Sequence, residues 1–296
     1  MKKLFSILCI SMLVFSVPLF AQNMVGSLGG DVAVSHEGLA SYSIPIDLVP
    51  GTKGVQPNLA ITYSSAGGRG LLGSCWTLAG LSSISRTPRD FYHDGDAGSV
   101  NFDSRDRYAL DGARLVRLST GAYATAGAVY GKKVEDFSRV TLHGTPNTRT
   151  QYFTAVTADG TVVEYGNVNG SKQLLDTLVL AWWVDKVTDP DGNSMDFHYT
   201  VSSGEMLPGW IDYTYNTSAG LTKYASVVFA YTDDPNPNKT WVGGKPVTAT
   251  KLLSGIEVKY NSTVVRRYAF EYAHDRSSRL TAVVLKDGTG NAPPSA

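Results

Sequence analysis

An alternation of apolar and polar side chains with a period of two runs through most of this chain of 296 residues, and it narrows what the chain can fold into. Met195, Phe197, Tyr199 and Val201 alternate with Asp196, His198 and Thr200. Ile211, Tyr213 and Tyr215 alternate with Asp212 and Thr214. Ile256, Val258 and Tyr260 alternate with Glu257 and Lys259, and Tyr268, Phe270 and Tyr272 with Ala269 and Glu271. Successive side chains of a strand point to opposite faces, so each run offers one face to a core and one to water. Turn signals separate the runs: Asp111-Gly112, Asp159-Gly160, Asp191-Gly192-Asn193 and Asn261-Ser262. These residues tolerate the positive φ that tight hairpins need. Only Lys172–Val187 also fits a helical period, through Leu174, Leu178 and Trp182. Its Val179, Trp183, Val184 and Val187, and the turn directly after it, favour a strand. The chain is predicted to be all-β, an antiparallel meander of hairpins with about a dozen strands or more.

Composition agrees and removes two function classes. Thirty glycines and 16 tyrosines suit many short strands and tight turns. Acids and bases balance at 26 each, which excludes a disordered acidic tail and a strongly basic nucleic-acid grip. Lys2 and Lys3 precede an apolar run, Leu4–Phe20, that ends at the small Ala21. This reads as a signal peptide over 1–21, so the mature chain starts near Gln22 and is secreted: extracellular, periplasmic or at the cell surface. Ser6, Ser11, Ser16 and Pro18 weaken the run as an anchor, and no later stretch makes a stable membrane span. Cys9 leaves with the leader, so Cys75 has no internal disulfide partner. Core burial must hold the fold, and a chain of this size buries roughly 70–75% of its extended surface. Cys75, between Ser74 and Trp76, reads as a buried small hydrophobe. Residues 22–287 read as one β-rich domain. Within it Asp233–Asn238 reads as an exposed loop tip, and Ser278–Leu285 as a strand with little sequence after it to pair with. The Gly/Pro/Ser-rich segment 288–296 reads as a linker or a truncation point.

Chemical motifs are few. Gly68-Arg69-Gly70-Leu71-Leu72-Gly73 spells a dinucleotide fingerprint after the strand-like Leu59–Ser64, with Asp90 about twenty residues on. The Ser-rich stretch that follows, broken by Gly80, has no helical face, so a glycine turn is expected. Asp189-Pro190-Asp191-Gly192-Asn193 with Asp196 has Thr200 where a calcium loop needs its last acid, and reads as a hairpin turn. His93-Asp94-Gly95-Asp96 reads as a surface loop. No two of the five histidines lie within four residues, and no Cys-x-x-Cys or Gly-x-Ser-x-Gly occurs. No catalytic residue, metal site or cofactor is therefore assigned, and the chain is expected not to be an enzyme. His198 is placed on the solvated face of its strand. A glycosidase pair of carboxylates is set by folding rather than spacing, so that reading stays open. Trp182, Trp183, Trp210 and Trp241 lie in strand runs or beside turns; Trp241 is the one singled out for sugar contact.

The segment Gly38–Arg86 is the most specific. It contains Tyr42-Ser43-Ile44-Pro45-Ile46, then Pro50-Gly51-Thr52-Lys53-Gly54-Val55-Gln56-Pro57-Asn58-Leu59, then Tyr63-Ser64-Ser65. Gly70-Leu71-Leu72-Gly73-Ser74-Cys75-Trp76-Thr77-Leu78 and Ile84-Ser85-Arg86 follow. In this order the elements resemble the N-terminal domain of the Salmonella virulence plasmid B protein and of the insecticidal Tc-toxin B subunit, within the wider RHS/YD-repeat toxins. Arg107–Leu115, Asp159–Gly166 and Trp182–Asp189 are similar too, so the resemblance covers about 26–201 well and the rest loosely. Ser74-Cys75 departs from the Gly or Val usual before that Trp. The resemblance implies structural roles for Tyr42, Pro45, Pro50, Gly51, Pro57, Tyr63, Gly70, Gly73, Trp76 and Arg86. It implies a partial β-shell that opens a larger casing around a polypeptide cargo. Its partners would be downstream RHS-type β-shell segments or a separate partner chain. Some such toxins end in an ADP-ribosyltransferase with a Glu-x-Glu pair, which this sequence lacks. The alternative is a solitary carbohydrate- or protein-binding β domain. The shell reading requires an open strand edge or apolar concave face near the C-terminal end. The lectin reading requires two solvent-facing tryptophans around a groove, and the hydrolase reading paired carboxylates in a cleft.

Overall fold

The turn residues reverse the chain where their conformational freedom demands it. Asp111 and Gly112 both hold positive φ (49° and 79°) between paired Leu110 and Ala113. Asn261 and Ser262 do the same between Tyr260 and Thr263. This is the twist that matches two-residue hairpins. The computed structural model describes residues 28–36 and 38–291. The expected signal peptide, with Cys9, and residues 292–296 lie outside the described residues.

The strands are, in order, β1 (Asp31–Val34), β2 (Ala40–Pro45), β3 (Ala60–Ser64), the short pair β4 (Arg69–Gly70) and β5 (Gly73–Ser74), and β6 (Trp76–Ala79). Next come β7 (Ser83–Thr87), a one-turn helix α1 (Phe91–Asp94), β8 (Arg107–Leu110), β9 (Ala113–Arg117), β10 (Val129–Lys132), β11 (Arg139–His143), β12 (Tyr152–Val156) and β13 (Val162–Tyr165). The longer strands follow: β14 (Lys172–Leu175), β15 (Leu178–Thr188), β16 (Ser194–Ser202), β17 (Glu205–Tyr215), β18 (Ala225–Val242), β19 (Lys245–Tyr260), β20 (Thr263–His274) and β21 (Ser278–Asp287). All named pairings are antiparallel, as the alternation predicts. Lys172–Val187 is strand, as its β-branched residues predict.

Periodicity did not reveal a closure. Strands β7 to β13 pair in sequence; β13 then pairs with the second half of β15, and Ala181–Trp183 of β15 pair back to β7. These strands close a ring within the barrel topology of the sheet. Alternate residues fill it: Ile84, Tyr108, Leu115, Tyr130, Leu142, Phe153 and Trp182 are fully buried. Tyr108 meets Phe153, Trp182 and Tyr130 edge-on, with centroids 5.1, 5.6 and 6.0 Å away. Edge-to-face pairs add stability beyond area burial.

From β15 the sheet continues as the meander β16 to β21. The separate sheet β1-β2-β3-β6 shares its core. Ile44, Ile46, Leu59 and Ile61 belong to one cluster with Val227, Ile256, Val258 and Tyr268. Side chains and backbone pin the two sheets together. Asp47 N–H donates to Tyr268 Oη (2.9 Å), Tyr213 Oη–H donates to the Val49 carbonyl (2.9 Å), and Thr52 Oγ1–H donates to the Thr214 carbonyl (2.9 Å).

Three local expectations are corrected. Asp233–Asn238 is not a loop tip but part of β18, and Asp234 is buried. The register with β19 shifts between Asp233 and Asn238, so Pro235 and Pro237 fall where the ladder is interrupted and no amide donor is required of them. Cys75 is half-buried rather than buried. It takes a left-handed φ of 67° between β5 and β6, its Sγ 3.4 Å from the Gly67 carbonyl. The expected surface loop at His93–Asp96 begins as α1, capped by Asp90, which accepts from His93 N–H at 2.8 Å.

Candidate functional site: an open strand edge beside an apolar groove

β21 pairs with β20 along its length, from Ser278 opposite His274 to Asp287 opposite Arg266. On its other side the only pairing among the described residues is Arg279 with Gly73. Leu280–Lys286 therefore present a backbone edge without a second neighbour among the described residues, and at Asp287 the N–H donates to the Asn291 carbonyl at 2.8 Å. No β21 residue after Ser278 is buried, whereas β19 and β20 bury Ile256, Val258 and Tyr268 completely. Beside this edge runs a groove of about 250 Å³ lined by Leu28, Tyr42, Ile44, Trp76, Leu280 and Val283. An unpaired edge next to apolar surface is a template for strand addition.

The motif residues separate into groups around this site. Tyr42 and Tyr63 flank Trp76, with centroids at 6.4 and 5.3 Å, and Tyr42 and Trp76 wall the groove. Gly30 lies so close to Tyr42 that a Cβ there would sit 2.1 Å from the phenol oxygen. Pro45 ends β2 opposite Ala60, exposed. Pro50 is exposed and Pro57 buried; between them Gly51 N–H donates to Gln56 Oε1 at 2.9 Å. This loop reaches β17 through Thr52 and the β15–β16 turn through Lys53 and Asp191 (2.9 Å). Gly70 and Gly73 pair with each other as the β4–β5 turn. Arg86 lies elsewhere, buried in the ring, where its Nη1 is 3.0 Å from Asp106 Oδ2 and its Nε–H donates to the Val179 carbonyl at 2.8 Å.

A clasp holds the start of the open strand. Asp234 accepts from Arg69 Nη2, from Ser278 Oγ–H at 2.5 Å and from Asn236 N–H at 2.9 Å. Burial pushes this carboxyl upward, but the hydrogen bonds and the Arg69 charge outweigh it and hold it below the usual carboxylate range. The residues read as a glycine turn and a loop tip thus meet at Ser278. Sequence reasoning missed Asp234 because two prolines masked its strand.

Gly73 is fixed by this contact. Its φ is 84°, and a Cβ would lie 2.5 Å from the Ser278 carbonyl oxygen. Gly73→Ala is expected to lose at least about 1 kcal/mol from the left-handed backbone alone. That corresponds to roughly 2–4 °C in Tm for a chain of this size class. Gly68→Ala, where a Cβ meets nothing within 4 Å, is the control. Thermal melts of the two variants check the difference.

The other sequence candidates do not converge on this edge. Trp182 is fully buried; Trp210 is 45% exposed and Trp241 62% exposed. The two exposed indoles stand apart on β17 and at the far end of β18, so they do not flank one groove. His198, expected in water, is half-buried and stacked on Trp210 at 4.2 Å. Among the described residues, no group of three or more His, Cys, Asp or Glu is placed to hold a metal ion, and no helix is long and apolar enough to cross a membrane.

Residues 34–209 match the family model described as Salmonella virulence plasmid 65kDa B protein. No curated protein matches the chain. Among solved structures, TcdB2-TccC3 aligns over 97% of the chain with a TM-score of 0.75 and 16% identity. The chain spans only 17% of that molecule's length. The N-terminal domain of effector protein SpvB from Salmonella typhimurium strain LT2 aligns over 82% of the chain and 98% of its own length, with a TM-score of 0.67 and 17% identity. A Photorhabdus luminescens Tc holotoxin pore aligns over 90% of the chain and 16% of its own, with a TM-score of 0.71 and 16% identity. At these identities the likeness is one of fold.

Proposed function

The chain belongs to the Salmonella virulence plasmid 65kDa B protein family, and on that premise we propose that it is an exported, non-catalytic wall module that opens a larger β-shell. The half-paired β21 carries this reading: Leu280–Lys286 are paired on one side only, beside the groove of Tyr42 and Trp76. Further strands of RHS type, or those of a separate partner chain, pair along this edge and cover the groove. A polypeptide cargo is held within the completed casing. The fold shared with TcdB2-TccC3, 17% of whose length the chain spans, supports the reading. So does the leader-like Met1–Ala21, which accounts for export. An edge exposed in this way pairs with whatever edge it meets.

Residues 22–296 expressed alone are therefore expected to self-associate as concentration rises. Ala282→Lys with Val284→Lys, on the β21 face that sits with Ala269 and Glu271, should weaken that association at least tenfold while circular dichroism stays unchanged. Sedimentation of both proteins measures it. A wild type that stays monomeric at high concentration, with no effect of the lysines, would contradict the proposal.

A further inference from the structure

We propose that the outward face of β16 to β18 carries a binding subsite for a neutral sugar, built on Trp210, Asp212 and Lys223. The subsite is independent of the strand edge. Trp210 stands in the middle of β17 with 45% of its surface exposed, while Ile211 and Tyr213 on the opposite face are buried. Its cross-strand partner His198 lies nearly parallel to it at 4.2 Å and 14°, so one side of the indole is braced. The indole Nε1–H donates to Asp212 Oδ2 at 3.2 Å. Lys223 Nζ lies 3.5 Å from the same oxygen and 2.6 Å from Asp196 Oδ2, and His198 Nε2 is 3.6 Å from Asp212 Oδ2. Each of these contacts on Asp212 falls on Oδ2, which leaves Oδ1 to accept from a ligand hydroxyl.

Asp212 and Lys223 also line a hollow of about 300 Å³, together with Tyr224, Ser226 and Asn261. The hollow lies one rung along the ladder from Trp210, because Asp212 faces Ser226 where Trp210 faces Val228. A braced aromatic platform, and one rung along from it a hollow with a carboxylate acceptor, an ammonium donor and a hydroxyl, match an oligomer of pyranose rings, one stacked on Trp210 and the next in the hollow. Such a ring has an apolar C–H face and a rim of hydroxyls. The acceptor left free beside the platform is a carboxylate oxygen, which pairs with a hydroxyl and repels a ligand carboxylate. The ligand class is accordingly a neutral hexose oligomer.

The test follows the five tryptophan indole N–H signals of the full mature chain by NMR, with the Trp210 signal assigned from Trp210→Phe. Cellohexaose, maltohexaose and an acidic oligogalacturonate are titrated in turn. At least one neutral hexamer should shift the Trp210 signal saturably and leave the Trp241 signal in place. Asp212→Asn should weaken that binding roughly tenfold or more. The proposal is overturned if neither neutral hexamer moves Trp210 at millimolar concentration, since His198 and Trp210 would then only brace the sheet. It is equally overturned if the acidic oligomer binds as well as the neutral ones, or if Asp212→Asn binds unchanged.

Discussion

Arg86→Ala is expected to destabilise the chain by about 3–5 kcal/mol, the usual cost of leaving one member of a buried ion pair alone. Arg86 and Asp106 keep 2% and 0% of their side chains exposed. The guanidinium also donates to Asn147 Oδ1 at 3.1 Å and lies over the Trp182 ring at 5.4 Å. Asp106 would keep two backbone donors, Asn101 N–H and Phe102 N–H, each at 2.8 Å, but lose its only cationic partner in that network. Arg86→Lys should recover only part of the loss, because an ammonium does not reproduce a planar fork that serves Val179, Asp106 and Asn147 at once. Urea denaturation of the three proteins measures this. A loss below about 1 kcal/mol for Arg86→Ala would show that the pair does not hold the ring.

Trp182→Ala should be comparably severe, at about 3–5 kcal/mol, through the cavity it opens at the centre of the ring. Trp182 packs between Phe153 and Tyr108 at 5.0 and 5.6 Å, and its Nε1–H donates to the Gln151 carbonyl at 2.8 Å. Gly166 is pressed against it, since a Cβ there would lie 2.3 Å from Trp182 Cδ1. Trp182→Phe keeps most of the volume but orphans the Gln151 carbonyl, so a smaller loss of about 1–3 kcal/mol is expected. Arg86 touches Trp182, so Arg86→Ala with Trp182→Ala should cost less than the two single losses together. Denaturant melts of the four proteins establish both points, and strict additivity would contradict the packing described.

The strands themselves were legible, because a period of two needs only neighbouring residues. Ser278–Leu285 was also legible as a strand short of partners, and it is the open edge. Closure of the ring was not legible. It depends on β15 dividing its length between β7 and β13, and alternation along β15 is the same whichever strand lies beside it. Arg86 was visible in its motif, but Asp106 was not, since folding rather than spacing brings them together. Asp234 was hidden by Pro235 and Pro237, residues that usually mark loops and here occupy a bulge. Sequence position singles out Trp241, because it follows the Asp233–Asn238 segment that reads as a loop. Folding gives Trp210 the stacked His198 and its hydrogen bond to Asp212, company that sequence position alone does not convey.

Amide hydrogen exchange across Leu280–Lys286, measured on residues 22–296 at a concentration below self-association, tests the wall-module account most directly. A strand paired on one side only should alternate slow and fast amides. Gly255–Tyr260 of β19, flanked by β18 and β20, should instead be slow throughout. Uniform protection of β21, equal to that of β19 in the isolated chain, would mean the edge is already closed and would contradict the account.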